Sequence, residues 1–401
     1  MKVVNVEPLV LRAPYGEMEK YWADGFWGVK ARGKTKVPVV DPQRAADQTL
    51  WRYRAVYSPH VETTLVRVTT DDGLVGYGEA HAPVAPEVTV SIITHLLAPL
   101  VIGENPLAVD RLWEKMYASM RIRGHHTGFM SEAMAGIDIA LWDIAGKATG
   151  LPIHLLMGGD YHDKVRTYQS HLPVLDPDEM VELARHHAEE GYHGIKISGG
   201  VGADLDIRNV ERIREGVGGT IALMLDAAGV YDLPTALKIG RALERNDVLF
   251  FEDPLPCEDH TGFAALCQAL DVAVAMGETE TTRYQFARRF AAGGVDVILP
   301  DICRANGLTE CRKIAMLADV YNLKLCPHNS VCSAVHHAAS LQLCAAIPNF
   351  LIYEFWSGYN PLLDIVTTPI APDRGYLRVP QGPGLGIEID EDKLRRLVVQ
   401  S

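Results

Sequence analysis

Residues 221–226, IALMLD, and residues 248–253, VLFFED, are short apolar segments that end in acidic residues. Five similar segments carry a charged residue at or near their end: GIKIS (194–198), VAMGE (274–278), DVILPD (296–301), LKLCPH (323–328) and FLIYEF (350–355). The charged residues recur at intervals of 23 to 30 residues, the length of one strand, one helix and two loops. Parallel strands are joined by crossover connections of this kind. The repeat therefore predicts an α/β fold, a TIM-like barrel of seven or eight strand–helix units.

The charged residues of these segments should lie on one face of the barrel. All strands of a closed (β/α)₈ barrel end on the same side, which is where barrel enzymes build their active sites. We therefore expect seven side chains to face one small volume: Lys196, Asp226, Glu252, Glu278, Asp301, His328 and Glu354.

Composition and charge argue against several classes of protein. The 401 residues are 48% hydrophobic and 22% charged, as in a soluble globular protein with two domains or a barrel with additions. The net charge of −13 would repel nucleic acid, and no apolar run approaches the length of a membrane span. The cysteines form no C-x-x-C pair, which favours reduced thiols over disulfides or a zinc site. We expect a cytoplasmic protein without nucleic-acid or membrane partners.

The first 125 residues have a different pattern from the barrel repeat. Residues 1–14 alternate like a strand, and residues 60–80 indicate a hairpin around the turn at 71–73. We predict an α+β capping domain over residues 1–125, the barrel over 126–370, and a tail over 371–401 that returns to the cap. The long polar stretch at 15–59 contains its own aromatic residues, which favours a lid over the active site rather than a surface or oligomer-contact loop.

A strongly periodic segment at residues 131–150, SEAMAGIDIALWDIAGKATG, predicts a helix. Ser131 is the expected N-cap, and Gly150 the expected end. Its small residues indicate close packing against a neighbouring sheet; they include Ala133, Ala135, Gly136 and Ala140.

Three acidic residues, Asp226, Glu252 and Glu278, end successive predicted strands. A single acid in such a place is more often a helix cap or a surface residue. Three carboxylates that lie a few ångströms apart, however, cannot all stay ionised without a cation. Acidic oxygens suit a hard divalent ion, Mg²⁺ first and Mn²⁺ second, so the set predicts a metal site.

The remaining charged residues are candidates for catalysis. An aspartate such as Asp301 that accepts the Nδ1 hydrogen of His328 would fix its tautomer and raise its basicity, as proton transfer requires. Lys196 is a candidate to bind a substrate carboxylate, to act as a base, or to pair with an acidic metal ligand. Glu354 is a candidate either to hydrogen-bond a developing enolate, if protonated, or to form an ion pair.

These residues in this order resemble the mandelate racemase-like branch of the enolase superfamily over essentially the whole chain. The matching segments are the helix at 133–147, LMLD (223–226), FFEDPL (250–255), MGE (276–278), ILPDICRANGLTE (298–310) and CPHNS (326–330). The resemblance implies a Mg²⁺ ion held by Asp226, Glu252 and Glu278. It also implies a base that removes the proton α to a substrate carboxylate, with the metal stabilising the enediolate. A homo-oligomer is expected from the same resemblance.

Two departures from the family pattern bear on the reaction. Racemase-like members often carry K-x-K on the second strand, whereas this chain has Lys196-Ile197-Ser198. A serine does not deprotonate a carbon acid unaided, so racemisation with two bases is disfavoured. Ala228 stands where a polar residue often follows Asp226 by two positions. His171 or Ser170, near the end of the first strand, are candidates to supply the missing contact.

One-base chemistry favours elimination of water. His328 would take the α-proton and then protonate a departing β-hydroxyl, and the enol would tautomerise to a 2-keto-3-deoxy acid. The sequence thus predicts a Mg²⁺-dependent dehydratase whose substrate is a small carboxylate, an aldonate or aldarate. Epimerisation or lactone cycloisomerisation through the same enediolate is the first alternative. A barrel that binds a metal or metabolite without turnover is the second.

Overall fold

The computed structural model describes residues 1–14, 28–30, 55–58, 60–173 and 175–399. The predicted lid over residues 15–59 therefore lies almost wholly outside the described residues. Only the backbone at 28–30 and 55–57 and residue 58 are described within it.

The N-terminal part contains a three-stranded antiparallel sheet in the order β1-β4-β5. Its strands are β1 (Val3–Ala13), β4 (Val61–Thr70) and β5 (Val75–Ala80). Two short parallel strands lie between them in the chain, β2 (Gly28–Lys30) and β3 (Ala55–Tyr57). The hairpin predicted around residues 71–73 is confirmed, with Gly73 at a φ of +87° in the turn.

Helices follow the sheet. They are α1 (Pro86–Ile92), a π-helical turn (Ile93–Leu97), α2 (Ala98–Val101), α3 (Val109–Arg121) and α4 (Phe129–Thr149). The expected N-cap of α4 was wrong, because the helix begins at Phe129 and Gly128 is the N-cap. Ser131 lies within the first turn and donates its hydroxyl hydrogen to the Gly128 carbonyl. The predicted end is confirmed, since Gly150 adopts a φ of +71° there.

The predicted packing of α4 against a sheet is also confirmed. A Cβ added to Gly78 of β5 would lie 1.9 Å from the carbonyl oxygen of Gly136 on α4. The two backbones can approach this closely only because a glycine stands there.

The barrel follows, beginning with a short helix, α5 (Ile153–Leu156). Its strands are β6 (Lys164–Leu172), β7 (Gly194–Ser198), β8 (Ala222–Asp226), β9 (Val248–Glu252), β10 (Ala273–Met276), β11 (Val297–Ile298), β12 (Lys324–Leu325) and β13 (Tyr353–Phe355). Its helices are α6 (Pro177–Glu189), α7 (Ala203–Val217), α8 (Leu233–Arg245), α9 (His260–Ala269), α10 (Arg283–Ala292), α11 (Leu308–Val320) and α12 (Ala334–Ala346).

The described strands form one parallel sheet in chain order from β6 to β12, and β13 pairs with β6. A parallel bridge between Leu325 and Phe350 joins the two ends of the sheet. Eight parallel strands among the described residues thus close into the predicted barrel.

Side chains of the barrel strands alternate between the lumen and the outer core. In β8, Met224 lies in the lumen, whereas Leu223 and Leu225 pack outward against the helices. The lumen is filled by a buried apolar layer: Tyr168, Met224, Phe250, Ala275, Val297, Leu299, Cys326 and Ile352. The carboxylates of Asp226 and Glu252 lie at the carboxyl ends of their strands, above this layer.

The segment after β13 runs from the barrel to the first strand of the cap. It contains a 3₁₀ turn (Pro361–Ile365), β14 (Tyr376–Arg378), which pairs antiparallel with β6, and α13 (Glu391–Leu397). Farther on, the Val399 amide donates to the Val10 carbonyl of β1 at 2.9 Å.

None of the helices in the described part of the chain combines the length and the apolar composition that a bilayer span requires.

Glu79, at the end of β5, joins the cap to the barrel. Its carboxylate is fully buried and accepts hydrogen bonds from the hydroxyl and amide of Ser333, which caps α12, and from the amide of His336. Burial raises the pKa of Glu79, but the His81 ring, the His336 ring and Ser333 outweigh it and hold the pKa at about 2. The ionised carboxylate thus stabilises the start of α12.

Replacing this carboxylate should weaken the contact between cap and barrel. We expect Glu79→Gln to lower the free energy of unfolding by about 3 kcal/mol, because charge-assisted hydrogen bonds are lost at a buried site. The folded-state pKa lies below the unfolded value of about 4.3, so this stabilisation is present above about pH 4 and is lost as the pH falls towards 2.

Chemical denaturation at pH 7 and at about pH 3 would measure both effects, with Glu189→Gln on the exposed side of α6 as the control. An unchanged stability at pH 7, or a difference that grows in acid, would contradict this account of Glu79.

Candidate active site

The strand ends place the predicted charged residues around one mouth. Asp226 follows the lumen residue Met224 by two positions, and Glu252 follows Phe250 in the same way, so both carboxylates lie directly above the apolar layer. The register places Ser198, Asp226 and Glu252 side by side on adjacent strands.

Glu278 reaches the mouth by a different route. β10 ends at Met276, which packs outward, and Gly277 then adopts a φ of +147°. A Cβ on Gly277 would lie 2.8 Å from the backbone nitrogen of Leu299. Glycine at this position lets the chain turn, and the Glu278 carboxylate comes within 2.8 Å of the His328 ring.

Lys196 is the central cation of the site. Its Nζ lies 2.9 Å from Glu252 Oε1, 2.7 Å from Glu354 Oε1 and 3.8 Å from Asp226 Oδ2, and the side chain is buried. Burial lowers the pKa of Lys196, but Glu252, Glu354 and Asp226 together raise it well above its usual value. These contacts favour the ion-pair role of Lys196 over a role as a base.

The Glu354 carboxylate has three polar contacts. Besides Lys196, it accepts hydrogen bonds from the Ser170 hydroxyl at 2.6 Å and from the Asn329 amide at 2.8 Å. Burial raises the pKa of Glu354, but Lys196 outweighs it and brings the pKa to about 2. The structure therefore favours an ion-paired carboxylate over a protonated hydrogen-bond donor.

The acidic residues form a cluster that includes Asp253, which the sequence reasoning missed. One oxygen each of Glu252, Asp253 and Glu278 lie within 4.8 Å of one another. Asp226 lies outside that group, beside Glu252 in the register and near Lys196. The signal for Asp253 was the second acid of the FFED segment.

The donor set of this cluster fits a divalent cation. Its ligand atoms are carboxylate oxygens, and Asp253 Oδ1 is buried without a hydrogen-bond partner among the described residues. Burial raises the pKa of Asp226, Glu252 and Asp253, and the charges of neighbouring carboxylates raise it further. A hard cation bound to these oxygens would offset that repulsion.

Asp301 and His328 form the pair that the sequence predicts. His328 Nδ1 lies 2.8 Å from Asp301 Oδ2, and both side chains are buried. Asp301 is itself fixed, because its Oδ1 accepts the amides of Cys303 and Arg304. This arrangement leaves Nε2 as the ring nitrogen on the side of the acidic cluster, where it lies 2.8 Å from Glu278 Oε2.

Two further side chains of the mouth were not foreseen from the sequence. Arg304 Nη1 lies 3.6 Å from Glu278 Oε1, and Arg304 Nε lies 3.9 Å from Asp301 Oδ2. The Asn329 side chain donates to the carbonyls of Pro327 and Glu354 and fixes the loop after His328. Both residues are close in sequence to a predicted site residue, but nothing in their local pattern showed where they point.

Ser198 lies beside the acidic cluster. Its side chain is buried, and within the described residues its hydroxyl has no hydrogen-bond partner. The position that a second lysine would occupy in a racemase-like site thus offers a small polar group next to Asp226.

Comparison with known proteins agrees with this geometry. Residues 179–393 match the family model described as enolase C-terminal domain-like. Residues 44–158 match the mandelate racemase / muconate lactonizing enzyme N-terminal domain. The chain belongs to the enolase superfamily, in its mandelate racemase-like branch. Enolase-superfamily proteins bind a divalent metal, and the acidic cluster is a group of described residues whose carboxylate oxygens could hold one.

Several relatives within the enolase superfamily align over most of their length. The chain is 34% identical to a D-galactarolactone cycloisomerase from Agrobacterium fabrum, covering 82% of this chain and 89% of that protein. It is 34% identical to a D-galactonate dehydratase from Ralstonia nicotianae, covering 81% of this chain and 88% of that protein. The crystal structure of an enolase-superfamily member from Agrobacterium tumefaciens superposes with a TM-score of 0.87 at 28% identity, covering 100% of this chain and 99% of that one.

Removing one carboxylate from the cluster should weaken metal binding. We expect Glu252→Gln to lower the affinity for Mn²⁺ at least about tenfold, since even the residues that orient metal ligands contribute that much. Electron paramagnetic resonance of free Mn²⁺ measures the binding without depending on activity. Glu215→Gln on the exposed face of α7 is the matched control. Equal Mn²⁺ binding by the two variants would show that Glu252 is not a ligand.

Proposed function

We propose that this protein is a metal-dependent dehydratase of a sugar acid, an aldonate or aldarate. The observation that carries the proposal is the placement of one proton-transferring group, His328, beside an acidic cluster that fits a divalent cation. Two other basic groups near the cluster are engaged: Lys196 contacts two carboxylates, and Arg304 lies between Glu278 and Asp301.

The residues proposed to hold the metal are Asp226, Glu252 and Glu278, with Asp253 beside them. We favour Mg²⁺ over Mn²⁺ because the donors are hard carboxylate oxygens. When bound, the cation supplies positive charge next to the oxygens of the substrate carboxylate. Lys196 adds a second positive charge on the same side of the site, above the barrel lumen.

His328 would carry both proton transfers of the elimination. Its Nε2 takes the proton α to the carboxylate, while Asp301 stabilises the ring cation that results. The same Nε2 then returns the proton to the departing β-hydroxyl, the carbon–oxygen bond breaks, and water leaves. The enol that remains tautomerises to a 2-keto-3-deoxy acid, so one base suffices and no oxidant or reductant is consumed.

Cycloisomerisation of a sugar lactone is the second candidate. It would use the same abstraction of an α-proton, and one relative of this chain is a D-galactarolactone cycloisomerase. Dehydration is favoured because His328 can serve as base and acid in succession on one face of the substrate. D-galactonate dehydratase is the name of another relative at the same identity.

Proton NMR in D₂O distinguishes these reactions. The enzyme and Mg²⁺ would be incubated with aldonates, aldarates and their lactones, including D-galactonate and D-galactarolactone. A 2-keto-3-deoxy product would support the dehydratase and name its substrate. Ring isomerisation of a lactone, or α-deuterium incorporation without loss of water, would replace it by a cycloisomerase or an epimerase. No exchange with any compound, despite tight Mn²⁺ binding, would favour a barrel that binds without turnover.

His328→Asn should abolish product formation. Loss of the only proposed base should lower the turnover number at least about a thousandfold, whereas Mn²⁺ affinity should stay close to that of the wild type. Turnover and Mn²⁺ binding would be measured on the same preparation, with His186→Asn at the exposed end of α6 as the control. Retained turnover would remove His328 from the mechanism.

Ser198→Ala tests whether the Ser198 hydroxyl takes part in the reaction. Since the Ser198 hydroxyl has no partner among the described residues, the substitution should change the turnover number less than about threefold. A large loss of turnover with normal Mn²⁺ binding would give Ser198 a role in the reaction.

A further inference from the structure

The end of β6 contains an irregularity that brings an extra side chain to the mouth. Gln169 pairs with Ile195 of β7, but Leu172, not residue 171, pairs with Ile197. Two residues of β6 therefore stand opposite Lys196 alone, which is the definition of a β-bulge. The bulge reverses the alternation of side chains, so that Leu172 packs outward in the same cluster as Ile195 and Ile197.

The two bulge residues are Ser170 and His171. Ser170 points to the mouth, because its hydroxyl donates to Glu354 at 2.6 Å. His171 adopts a φ of +59°, a left-handed conformation that is uncommon for a residue other than glycine. Such backbone outliers persist where the surrounding structure fixes them and are frequent at functional sites.

The electrostatic surroundings of His171 place its ring at the same site. Burial and, next to it, the charge of Lys196 lower the pKa of His171 to about 4, against the opposing effect of Glu354. The charges of His328 and Glu278 also reach it. The residue nevertheless keeps some exposure to solvent, whereas Lys196 and Ser198 are buried. His171 thus lies at the rim of the mouth on the β6–β7 side.

The imidazole ring of His171 is chemically suited to hydrogen-bond a substrate hydroxyl. A neutral imidazole offers one hydrogen-bond donor and one acceptor, and so does each hydroxyl of a sugar acid. The adjacent Lys196 charge disfavours a protonated ring, which makes His171 a poor base for a carbon acid but a good neutral hydrogen-bonding partner.

We propose that His171 is a substrate-binding residue that hydrogen-bonds a hydroxyl of the sugar-acid chain, and so contributes to the choice of substrate. The inference rests on the proposed function and deepens it, because it assigns the recognition of a hydroxyl to a side chain outside the acidic cluster and the Asp301–His328 pair. It also gives a reason for the bulge in β6.

The test uses His171→Asn and His171→Gly. Both residues accept a positive φ readily, so the backbone conformation should persist and the melting temperatures should not fall. His186→Asn is the control. On the substrate that the wild type converts best, kcat/KM of the two variants should fall about 3- to 20-fold, mainly through KM, while Mn²⁺ binding is unchanged.

Deoxy analogues of that substrate identify the hydroxyl. Among analogues that each lack one hydroxyl, the wild type should convert one with a kcat/KM reduced as much as the substitution reduces it on the full substrate. His171→Gly should convert that analogue with no further loss of kcat/KM. Additive losses for every analogue would overturn the inference. A fall in kcat alone, with loss of α-proton exchange in D₂O, would also overturn it and make His171 a proton-transferring group.

Failure of the inference differs from failure of the proposed function. If the wild-type enzyme converts none of the sugar acids, the dehydratase proposal fails and this inference fails with it. If the wild type converts one of them and both His171 variants match it, only the role of His171 is wrong.

Discussion

Electrostatic repulsion among buried carboxylates is the constraint on which the active site depends. Lys196 offsets part of the repulsion by contacting Glu252 and Glu354 at short distance. The carboxylates that remain, with Asp253 among them, have an excess of negative charge that suits a divalent cation. Hydrogen bonds from Ser170 and from the Asn329 backbone amide hold Glu354 in place among these groups.

The cap contributes to this arrangement from a distance. Glu79 on its sheet binds the start of α12, the helix that follows the loop of His328 and Asn329. Close contact between β5 and α4, at Gly78 and Gly136, holds the cap sheet itself in place. The loop that carries His328 is thus followed by a helix whose start is bound by the cap.

The site is asymmetric in its proton chemistry. His328 is supported by Asp301, whereas the β7 side offers only the ion-paired Lys196 and the small Ser198. A neutral imidazole at His171 adds hydrogen-bonding capacity there without adding a strong base. This combination fits elimination on one face of a polyhydroxy acid better than proton exchange on two faces.

The sequence by itself determined the barrel and most of its mouth, because parallel strands end on one side and period-two alternation places Asp226, Glu252 and His328 in the lumen row. It could not place Asp253 or Arg304, whose orientation depends on loop geometry rather than on a strand period. The N-cap of α4 was also missed, because the helix begins at Phe129 and its N-cap, Gly128, has no side chain that could mark the position.

Only the tertiary structure decided which of the possible partners each charged group takes. Lys196 was open to three roles in the sequence, and the contacts with Glu252 and Glu354 favour the ion pair. The bulge that brings His171 to the mouth was equally hidden, because it is a property of the pairing between β6 and β7. Strand periodicity is local and can be read along one chain, whereas ion pairs and register shifts arise only when distant segments meet.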